Sequence, residues 1–524
     1  MSLDTTLSPN VGSWLQNATS IVMKLNDGED FTTLLTATNG FILLGTVLAG
    51  YVIRLSVKGS QTRPGEPPLL PGAVPLLGHA LKFGSDSNGL YENARDWSPN
   101  AEPVSLSLMG KRVYLLLNAR DVNAGWRAKS LSFDPVCEWG LSTMFGMSVE
   151  GVKQMGTDPD GLGGMTENQH AFWRDALAPG DALNLITQRF MNQLDSDLAD
   201  YERSVRAAGS VTAELRDWTR TRLGIQSTNA FAGKALLEKD PKMLHKLAIW
   251  DLDFYLLSIG LPKWMLSRAN KNLESMIQTW IDINRTGSSE VYHPMMRRLE
   301  MMEVRGASEW DKGSANFCLW MATQANALPI EFWFVYQIAL NKSLQPTLLA
   351  EIGPAFDENN KIVNLNHLLH NAPLLNSIYW ESLRYTSGAV SVREVLEDTV
   401  INGYTFYAGS MVMSPMRILN FSKDTFGPDA NDFVPDRFVR PHNPEKGQYN
   451  PGIKVVKSFG GGVTLCPGRH FAGNEILAFT ASILQRFKIE LVEGQKIAYP
   501  LTSAPVVGTF PADREVFVRL SPRN

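Results

Sequence analysis

The chain has 524 residues, of which 44% are hydrophobic and 19% charged, with a formal net charge of −4. These fractions are ordinary for a globular protein, and the negative charge argues against nucleic acid as a main partner because phosphate binding requires a basic face. The three cysteines, Cys137, Cys318 and Cys466, cannot supply a disulfide framework and have no zinc-site spacing, so the bulk of the chain is expected in a reducing compartment.

The first predicted element is a membrane anchor at residues 31–53, a stretch without a charged residue. About 20 such residues span a bilayer. Acidic residues precede the stretch and basic residues follow it, namely Asp27, Glu29 and Asp30, then Arg54, Lys58 and Arg63. Because positive charge marks the cytoplasmic side, residues 1–30 are expected in the lumen and the large C-terminal part in the cytosol.

Two observations qualify the anchor. Asn17 begins an Asn-Ala-Thr glycosylation pattern on the expected luminal side, although such tripeptides are common by chance. Thr36, Thr38 and Asn39 dilute the hydrophobicity, so a buried core helix is the alternative. A cleaved signal peptide fits less well because the apolar stretch is too long and begins too far from Met1.

The predicted hinge, residues 54–78, is basic and carries five prolines from Arg63 onward. Such a segment resists helix and strand and acts as a stiff spacer. It separates the anchor from a single body, residues 79–524. The body contains no internal repeat and no second low-complexity linker.

Within the body, most of the periodicity is helical. Residues 104–118 predict a hairpin that turns near Gly110, and 400–414 predict a second one at Asn402-Gly403. Residues 165–350 are mostly helical, with one long helix over 310–342 that Pro329 interrupts. Further helices are expected over 372–386 and 469–487, separated by a polar, proline-rich segment over 421–456. The fold class is therefore mainly α with small β-sheets.

The stretch SFGGGVTLCPGR, residues 458–469, places one thiol in a glycine-rich turn. Glycines let a backbone approach a flat ligand without a Cβ clash, and the positive end of the helix that begins near Arg469 favours a thiolate. Phe459 would cover the surroundings of the sulfur and exclude water. These are the requirements of a proximal haem thiolate; the alternative is a structural cysteine in a chance glycine turn.

Three motifs in this order resemble those of the cytochrome P450 superfamily. Phe459-x-x-Gly462-x-x-x-Cys466-x-Gly468 resembles the haem-binding signature, Glu381-x-x-Arg384 resembles the family's helical Glu-x-x-Arg pair, and the Arg437 segment PDRF resembles the meander motif whose arginine completes that cluster. A Glu-x-x-Arg pair alone is weak evidence because i,i+3 ion pairs are common. The three together, behind an anchor and a hinge, are specific for the membrane-bound, microsomal type.

The resemblance implies a role for each matching residue. Cys466 is expected to be the axial ligand of haem b iron, within a turn formed by Phe459, Gly462 and Gly468. Glu381, Arg384 and Arg437 are expected to form a buried structural charge cluster. Thr464 stands where the family often has a propionate-binding cation. Arg393 is the first candidate for this role and Arg174 the second, and for each the alternative is a solvated surface arginine.

The helix expected over the distal haem face departs from the superfamily. Ala325-Asn326-Ala327-Leu328-Pro329 stands where an acid and a threonine usually deliver protons. Asn326 can donate and accept hydrogen bonds, so it is the candidate to orient water or oxygen there; the alternative is an asparagine that satisfies backbone freed by a kink. The segment QANALPIEFW is similar to that of the sterol 7α-hydroxylases and of prostacyclin synthase.

The resemblance implies a monooxygenase that oxidises a bulky lipophilic molecule, such as a steroid, a terpenoid or a related secondary metabolite. The expected site is the endoplasmic reticulum membrane, where the anchor contacts lipid and NADPH-cytochrome P450 reductase, with cytochrome b5 as a second donor, supplies electrons. Lys454, Lys457, Arg469 and His470 flank the thiol loop and could meet an acidic reductase. The alternative is a reductase-independent isomerase or dehydratase acting on a peroxide; a haem carrier without turnover is a third reading.

Overall fold

The computed structural model describes residues 62–523 apart from 75–76, 157–171, 175, 259–262 and 288–289, together with residues 46 and 50. The predicted anchor therefore lies almost wholly outside the described residues. Among the residues that are described, no helix is long and apolar enough to cross a membrane.

Helices form most of the body, as the periodicity predicts. In chain order they are α1 Ala80–Ser85, α2 Ser87–Trp97, α3 Ala119–Arg127, α4 Asp134–Thr143, α5 Val149–Gly156, α6 Asp181–Ala208, α7 Leu215–Ala232, α8 Ala235–Lys239, α9 Met243–Ser258, α10 Ser267–Thr286, α11 His293–Val304, α12 Glu309–Gln324, α13 Ala327–Leu340, α14 Leu344–Ile352, α15 Leu365–His370, α16 Pro373–Thr386, α17 Met416–Asn420, α18 Lys423–Phe426 and α19 Arg469–Arg486.

The strands form small sheets at the edges of the helical body. They are β1 Val104–Leu108, β2 Lys111–Leu115, β3 Leu131–Ser132, β4 Val211–Glu214, β5 Val390–Val395, β6 Thr399–Ile401, β7 Tyr404–Phe406, β8 Met411–Pro415, β9 Phe487–Leu491 and β10 Phe517–Pro522. One sheet has the order β1-β2-β8-β5-β3, a second β4-β10-β9 and a third β6-β7. Only β2 and β8 pair in parallel among these described strands. The mainly helical fold with small sheets is confirmed.

The first predicted hairpin is confirmed, whereas the second is confirmed only over residues 399–406, because β8 pairs with β2 and β5 instead. The strands β1 and β2 pair antiparallel, with Leu108 opposite Lys111, and β6 and β7 pair with Ile401 opposite Tyr404. Asn402 and Gly403 have φ values of 50° and 89°. Two consecutive positive φ angles define the tight turn that matches the twist of the strands, which is why the Asn-Gly pair predicts it.

The predicted hinge is partly docked on the first sheet. The backbone N–H of Leu70 donates to Ser105 O over 2.9 Å, and the Leu70 side chain is buried. The buried Glu66 carboxylate contacts Arg112 Nη2 at 2.9 Å. Proline removes backbone donors but leaves carbonyls free to accept, so the segment can run along β1 without becoming a strand of the sheet.

The long helix predicted over 310–342 is two helices, and its break precedes Pro329. Helix α12 ends at Gln324 and α13 begins at Ala327. A proline ring clashes with the carbonyl four residues earlier, here that of Ala325, so the helix is disrupted upstream of the proline. Pro329 is the third residue of α13, where a backbone N–H has no partner within the helix in any case.

The helical core surrounds α13. The helices α6, α7, α13 and α19 pack on one another, and the residues of α13 from Ile330 to Ala339 are all buried. A helix that is apolar all round belongs in the centre of a large body. The start of α13 and the segment that precedes α19 both contribute residues to the lining of one central cavity.

Candidate active site

The central cavity has a volume of about 470 Å³ and lies between the thiol loop and the break in the distal helix. We call α12 and α13 together the distal helix, and residues 458–468 the thiol loop. The thiol-loop wall contains Ser458, Phe459, Gly460, Cys466, Pro467 and Gly468. The distal helix contributes Leu319, Ala322, Thr323, Asn326, Ala327 and Ile330 to the cavity lining. Cavities of this size and apolar lining hold small-molecule ligands and cofactors.

The geometry of the thiol loop is set by backbone contacts and by one tryptophan. The backbone N–H of Cys466 donates to Phe459 O over 3.0 Å, which closes the loop. Gly462 has a φ of +62°, and a Cβ added there would lie 3.0 Å from Trp126 Cβ; a Cβ at Gly461 would overlap the Trp126 ring. Gly462 does not line the cavity. A glycine is required at position 462 by the positive φ of the turn and by the close approach of Trp126. Gly460 and Gly468, in contrast, line the cavity.

The Cys466 thiol is subject to two opposing influences. Burial raises its pKa, while the backbone N–H groups of Gly468 and Arg469 and the Arg469 cation act in the lowering direction. Helix α19 begins at Arg469, so its positive end lies beside the sulfur. A metal ion would ionise such a thiol outright. The donor, its amide partners and the adjoining apolar cavity together fit a thiolate-bound haem.

Arg393 and Thr464 are in direct contact. Arg393 Nη2 donates to Thr464 Oγ1 over 2.7 Å, and the arginine is buried with no partner for its Nε atom. Burial lowers the pKa of Arg393. The second candidate, Arg174, has an exposed side chain and does not line the cavity, although its neighbour Trp173 does. Of the two arginines, the structure brings only Arg393 beside the thiol loop.

The structure brings Glu381, Arg384 and Arg437 together in the interior. Arg384 contacts both Glu381 carboxylate oxygens at 2.7 and 2.8 Å, and Arg437 Nε contacts the same two atoms at 3.0 and 3.1 Å. All three side chains are fully buried. Burial acts to lower the pKa of Arg437, but the carboxylates of Glu381 and Asp429 outweigh it and raise that pKa.

A hydrogen-bond chain joins this cluster to the thiol loop. Arg384 Nη1 donates to Asn420 O over 2.9 Å, and Asn420 Nδ2 donates to Ser458 Oγ over 3.2 Å. The Ser458 hydroxyl donates in turn to Leu383 O over 2.7 Å. Asn420 and Ser458 belong to no motif of the sequence. The chain explains how a distant charge cluster can fix the start of the loop that carries Cys466.

Asn326 lies at the break in the distal helix, on the cavity wall. Its carbonyl accepts from the backbone N–H of Ile330 over 3.1 Å, whereas its side-chain Oδ1 has no hydrogen-bond partner. Gly508 lies directly against this side chain, because a Cβ at Gly508 would overlap Asn326 Oδ1. Leu328 and Pro329 do not line the cavity. Asn326 therefore lies on the cavity wall beside the break, with an unsatisfied side-chain oxygen packed against Gly508.

Three buried polar residues of the cavity wall were not predicted from the sequence. Glu475 is fully buried, and burial raises its pKa to about 8. The Tyr379 hydroxyl and the Arg298 Nε atom have no hydrogen-bond partner. Glu475 is followed in α19 by the apolar residues 476–479, which is a weak signal of burial. Arg298 follows Arg297, and such a basic pair is typical of a solvated helix face.

The comparisons with known proteins agree on one family. Residues 321–512 match the protein family described as Cytochrome P450. The chain is 25% identical to "Cytochrome P450 monooxygenase poxD" of Penicillium oxalicum, over 82% of this chain and 88% of that protein. It is 26% identical to "Cholesterol 7-alpha-monooxygenase" of Cricetulus griseus, over 84% of this chain and 90% of that protein.

A solved structure has the same fold. The "Retinoic acid bound cyanobacterial CYP120A1" superposes with a TM-score of 0.66 at 16% sequence identity. The match covers 88% of this chain and all of that one (100%). At this identity the likeness concerns the fold alone.

Proposed function

Because the chain is a monooxygenase of the cytochrome P450 superfamily, near the sterol 7α-hydroxylase branch, we propose that it oxidises a bulky lipophilic substrate such as a steroid or a terpenoid. In the proposed reaction one oxygen atom of dioxygen enters a C–H bond and the other leaves as water. Two electrons and two protons complete the balance. The electrons come from a separate reductase that oxidises a nicotinamide cofactor.

One observation carries this proposal: Cys466 and Asn326 both line one apolar cavity. A thiolate-bound haem supplies the activation of dioxygen. Cys466 would hold the haem, and the Gly468 and Arg469 amides would stabilise the negative charge on its sulfur. The apolar wall would exclude bulk water and accept a lipophilic molecule on the side of the distal helix.

Arg393 and Asn326 would take the remaining polar roles. Arg393 lies beside the thiol loop with an unsatisfied Nε atom, so it is placed to bind a haem carboxylate. Asn326 Oδ1 lacks a partner at the cavity wall. A water bound to this oxygen would stay oriented where the superfamily usually has an acid and a threonine. Neither Leu328 nor Pro329 can exchange a proton at neutral pH.

The proposal extends to location. An anchor at residues 31–53 would hold the body on the cytosolic face of the endoplasmic reticulum, where the reductase is found. Lys454 is exposed, and the Lys457 ammonium donates to its carbonyl over 3.1 Å. These cations lie on the chain just before the thiol loop, and they would meet the acidic face of the reductase.

The test is turnover in membranes that contain the full chain and a reductase. A panel of steroids and terpenoids is supplied with NADPH and dioxygen, and products are identified by mass spectrometry. We expect a product heavier by one oxygen atom that carries the label from ¹⁸O₂ and that requires the reductase. Conversion of a peroxide substrate without reductase or NADPH would contradict the proposal and favour an isomerase.

A further inference from the structure

Arg298 is a buried cation on the wall of the central cavity. It belongs to α11, and its side chain lines the cavity while the residue is only 7% exposed. Its Nη1 atom donates to the carbonyl of Ala315 in α12 over 3.2 Å, and its Nε atom has no partner. The guanidinium is thus held against the distal helix with hydrogen-bonding capacity left over.

No carboxylate neutralises Arg298 among the ion pairs of the described chain. Among the described residues, the titratable groups that act on Arg298 are the thiols of Cys137 and Cys318, which also line the cavity. Burial raises the pKa of Cys137 to about 12 and that of Cys318 to about 11, so both thiols are neutral at physiological pH. The Trp173 ring lies 5.6 Å from the guanidinium carbon and covers it without removing its charge.

An unpaired buried charge is costly. Buried charges in proteins are paired or bind an ion, because desolvation costs several kcal/mol per ion. Arginine cannot avoid this cost by losing its proton. Within the part of the chain that the structure describes, the arrangement is therefore that of a site that gains its counter-charge from a bound molecule.

The position of Arg298 separates it from the reaction centre. It contacts Ala315 and lies beside Cys318, in the first half of the distal helix, whereas Asn326 lies at the break. At 1.5 Å per residue, Cys318 lies about 9 Å along the helix axis from the end of α12 at Gln324, and Asn326 follows in the break. Between them the cavity wall is formed by Leu319, Ala322 and Thr323. A molecule that reaches both ends would be largely apolar with one charged end.

We propose that Arg298 binds a carboxylate of the substrate, at the end of the cavity remote from Asn326. The planar guanidinium fork matches the two carboxylate oxygens. Haem also carries carboxylates, but Arg393 and Thr464 meet beside the thiol loop, and they share no partner with Arg298. This inference rests on the proposed function and narrows the substrate to a bulky lipophilic acid that is oxidised at a position remote from its carboxylate.

The test measures binding of cholanic acid and its methyl ester to the purified, haem-loaded full chain in lipid nanodiscs. Affinity is followed by the ligand-induced change in haem absorption and independently by calorimetry. The parent should prefer the acid. Arg298→Met should weaken acid binding about 10- to 100-fold, since a hydrogen bond to a charged group contributes about 1.5–3 kcal/mol, and should leave ester binding unchanged. Arg298→Lys should fall between the two.

The adjacent Arg297 is exposed on the same helix, so Arg297→Met is the matched control and should bind like the parent. Equal binding of acid and ester by the parent, or no binding of the acid, overturns the inference. Loss of haem from both Arg298→Met and Arg298→Lys, measured by haem extraction, would assign Arg298 to a haem carboxylate and also overturn it. Acid selectivity without reductase-dependent turnover would contradict the proposed function alone.

Discussion

Arg393 and Thr464 form a hydrogen bond of 2.7 Å between two positions that the superfamily resemblance treats separately. Thr464 stands where a cation is common, and Arg393 was expected to replace that cation. In the structure the two residues are hydrogen-bonded, so the Thr464 hydroxyl positions the Arg393 guanidinium. The threonine at position 464 and the arginine at position 393 therefore act as one structural unit.

The first prediction concerns this pair. Thr464→Val keeps the shape of the side chain but removes the acceptor for Arg393 Nη2. We expect the free energy of unfolding to fall by about 1–3 kcal/mol, because a buried donor is left without a partner. Thr464→Ser keeps the hydroxyl and should remain close to the parent. Chemical denaturation of the three proteins measures this difference, and a valine variant as stable as the parent would refute it.

The second prediction concerns Asn326 and Gly508. Asn326→Ala should leave haem content and substrate binding nearly normal, lower product formation at least about tenfold, and divert reducing equivalents to hydrogen peroxide. One well-placed polar group commonly contributes about 10²–10³-fold to a rate, so tenfold is a modest expectation. The measurement compares NADPH consumed, peroxide released and product formed.

Gly508→Ala provides an independent route to the same effect, because its new Cβ would push the Asn326 side chain aside. It should uncouple the reaction as Asn326→Ala does. Contacting residues that act together are not additive, so the double variant should be no worse than Asn326→Ala alone. If Asn326→Ala couples like the parent, Asn326 only satisfies the helix break.

The third prediction concerns the buried charge cluster. Glu381→Gln removes the carboxylate that two fully buried arginines share. We expect a loss of about 3–5 kcal/mol in the free energy of unfolding, together with poor haem retention, because the Asn420–Ser458 chain would no longer be fixed. The surface pair of Glu490 and Lys342 is the control; Glu490→Gln should cost about 1 kcal/mol or less. Similar losses in both variants would contradict a structural role for the cluster.

The fourth prediction is a pH dependence of stability that arises from Glu475. Burial raises its pKa from 4.5 to about 8. Between these values the folded state binds more protons than the unfolded state, so stability falls as the pH rises from about 4.5 to 8 and then levels off. At pH 7 the cost is about 3 kcal/mol.

Glu475→Gln removes this cost because the amide does not ionise. The variant should gain melting temperature relative to the parent as the pH rises from 5 to 8, with the difference smallest at pH 5. Glu493 is exposed, and Glu493→Gln should show no such trend. Calorimetry across this pH range checks the prediction, and parallel pH profiles for Glu475→Gln and the parent would show it to be wrong.

Local backbone chemistry made much of the fold predictable. Both hairpins follow from turn residues that accept positive φ, such as Asn402 and Gly403. The helix break was expected because of Pro329, but its place was wrong by a few residues, since a proline acts on the carbonyl one turn earlier. The short strands β4, β9 and β10 carry no comparable turn signal and depend on long-range pairing.

The candidate site likewise contains residues that the sequence indicates and residues that only the tertiary packing reveals. Cys466, Phe459 and Gly468 line the cavity, and the haem-binding role that the resemblance implies for them stays a prediction. Gly462 does not line the cavity. A glycine is required at this position by the positive φ and by the contact with Trp126 of α3, and no spacing within the motif shows such a contact. Arg298 and Glu475 were missed because burial of a charged residue depends on which helices pack together.

The most direct test of the central claim is the absorption spectrum of the reduced carbon monoxide complex. The purified parent should show the strongly red-shifted Soret band of a thiolate-bound haem. Cys466→Ala should lose this band, while Cys318→Ala, which removes another thiol of the same cavity, should keep it. A red-shifted band that survives in Cys466→Ala would contradict the assignment of Cys466 and, with it, the proposed haem-thiolate centre.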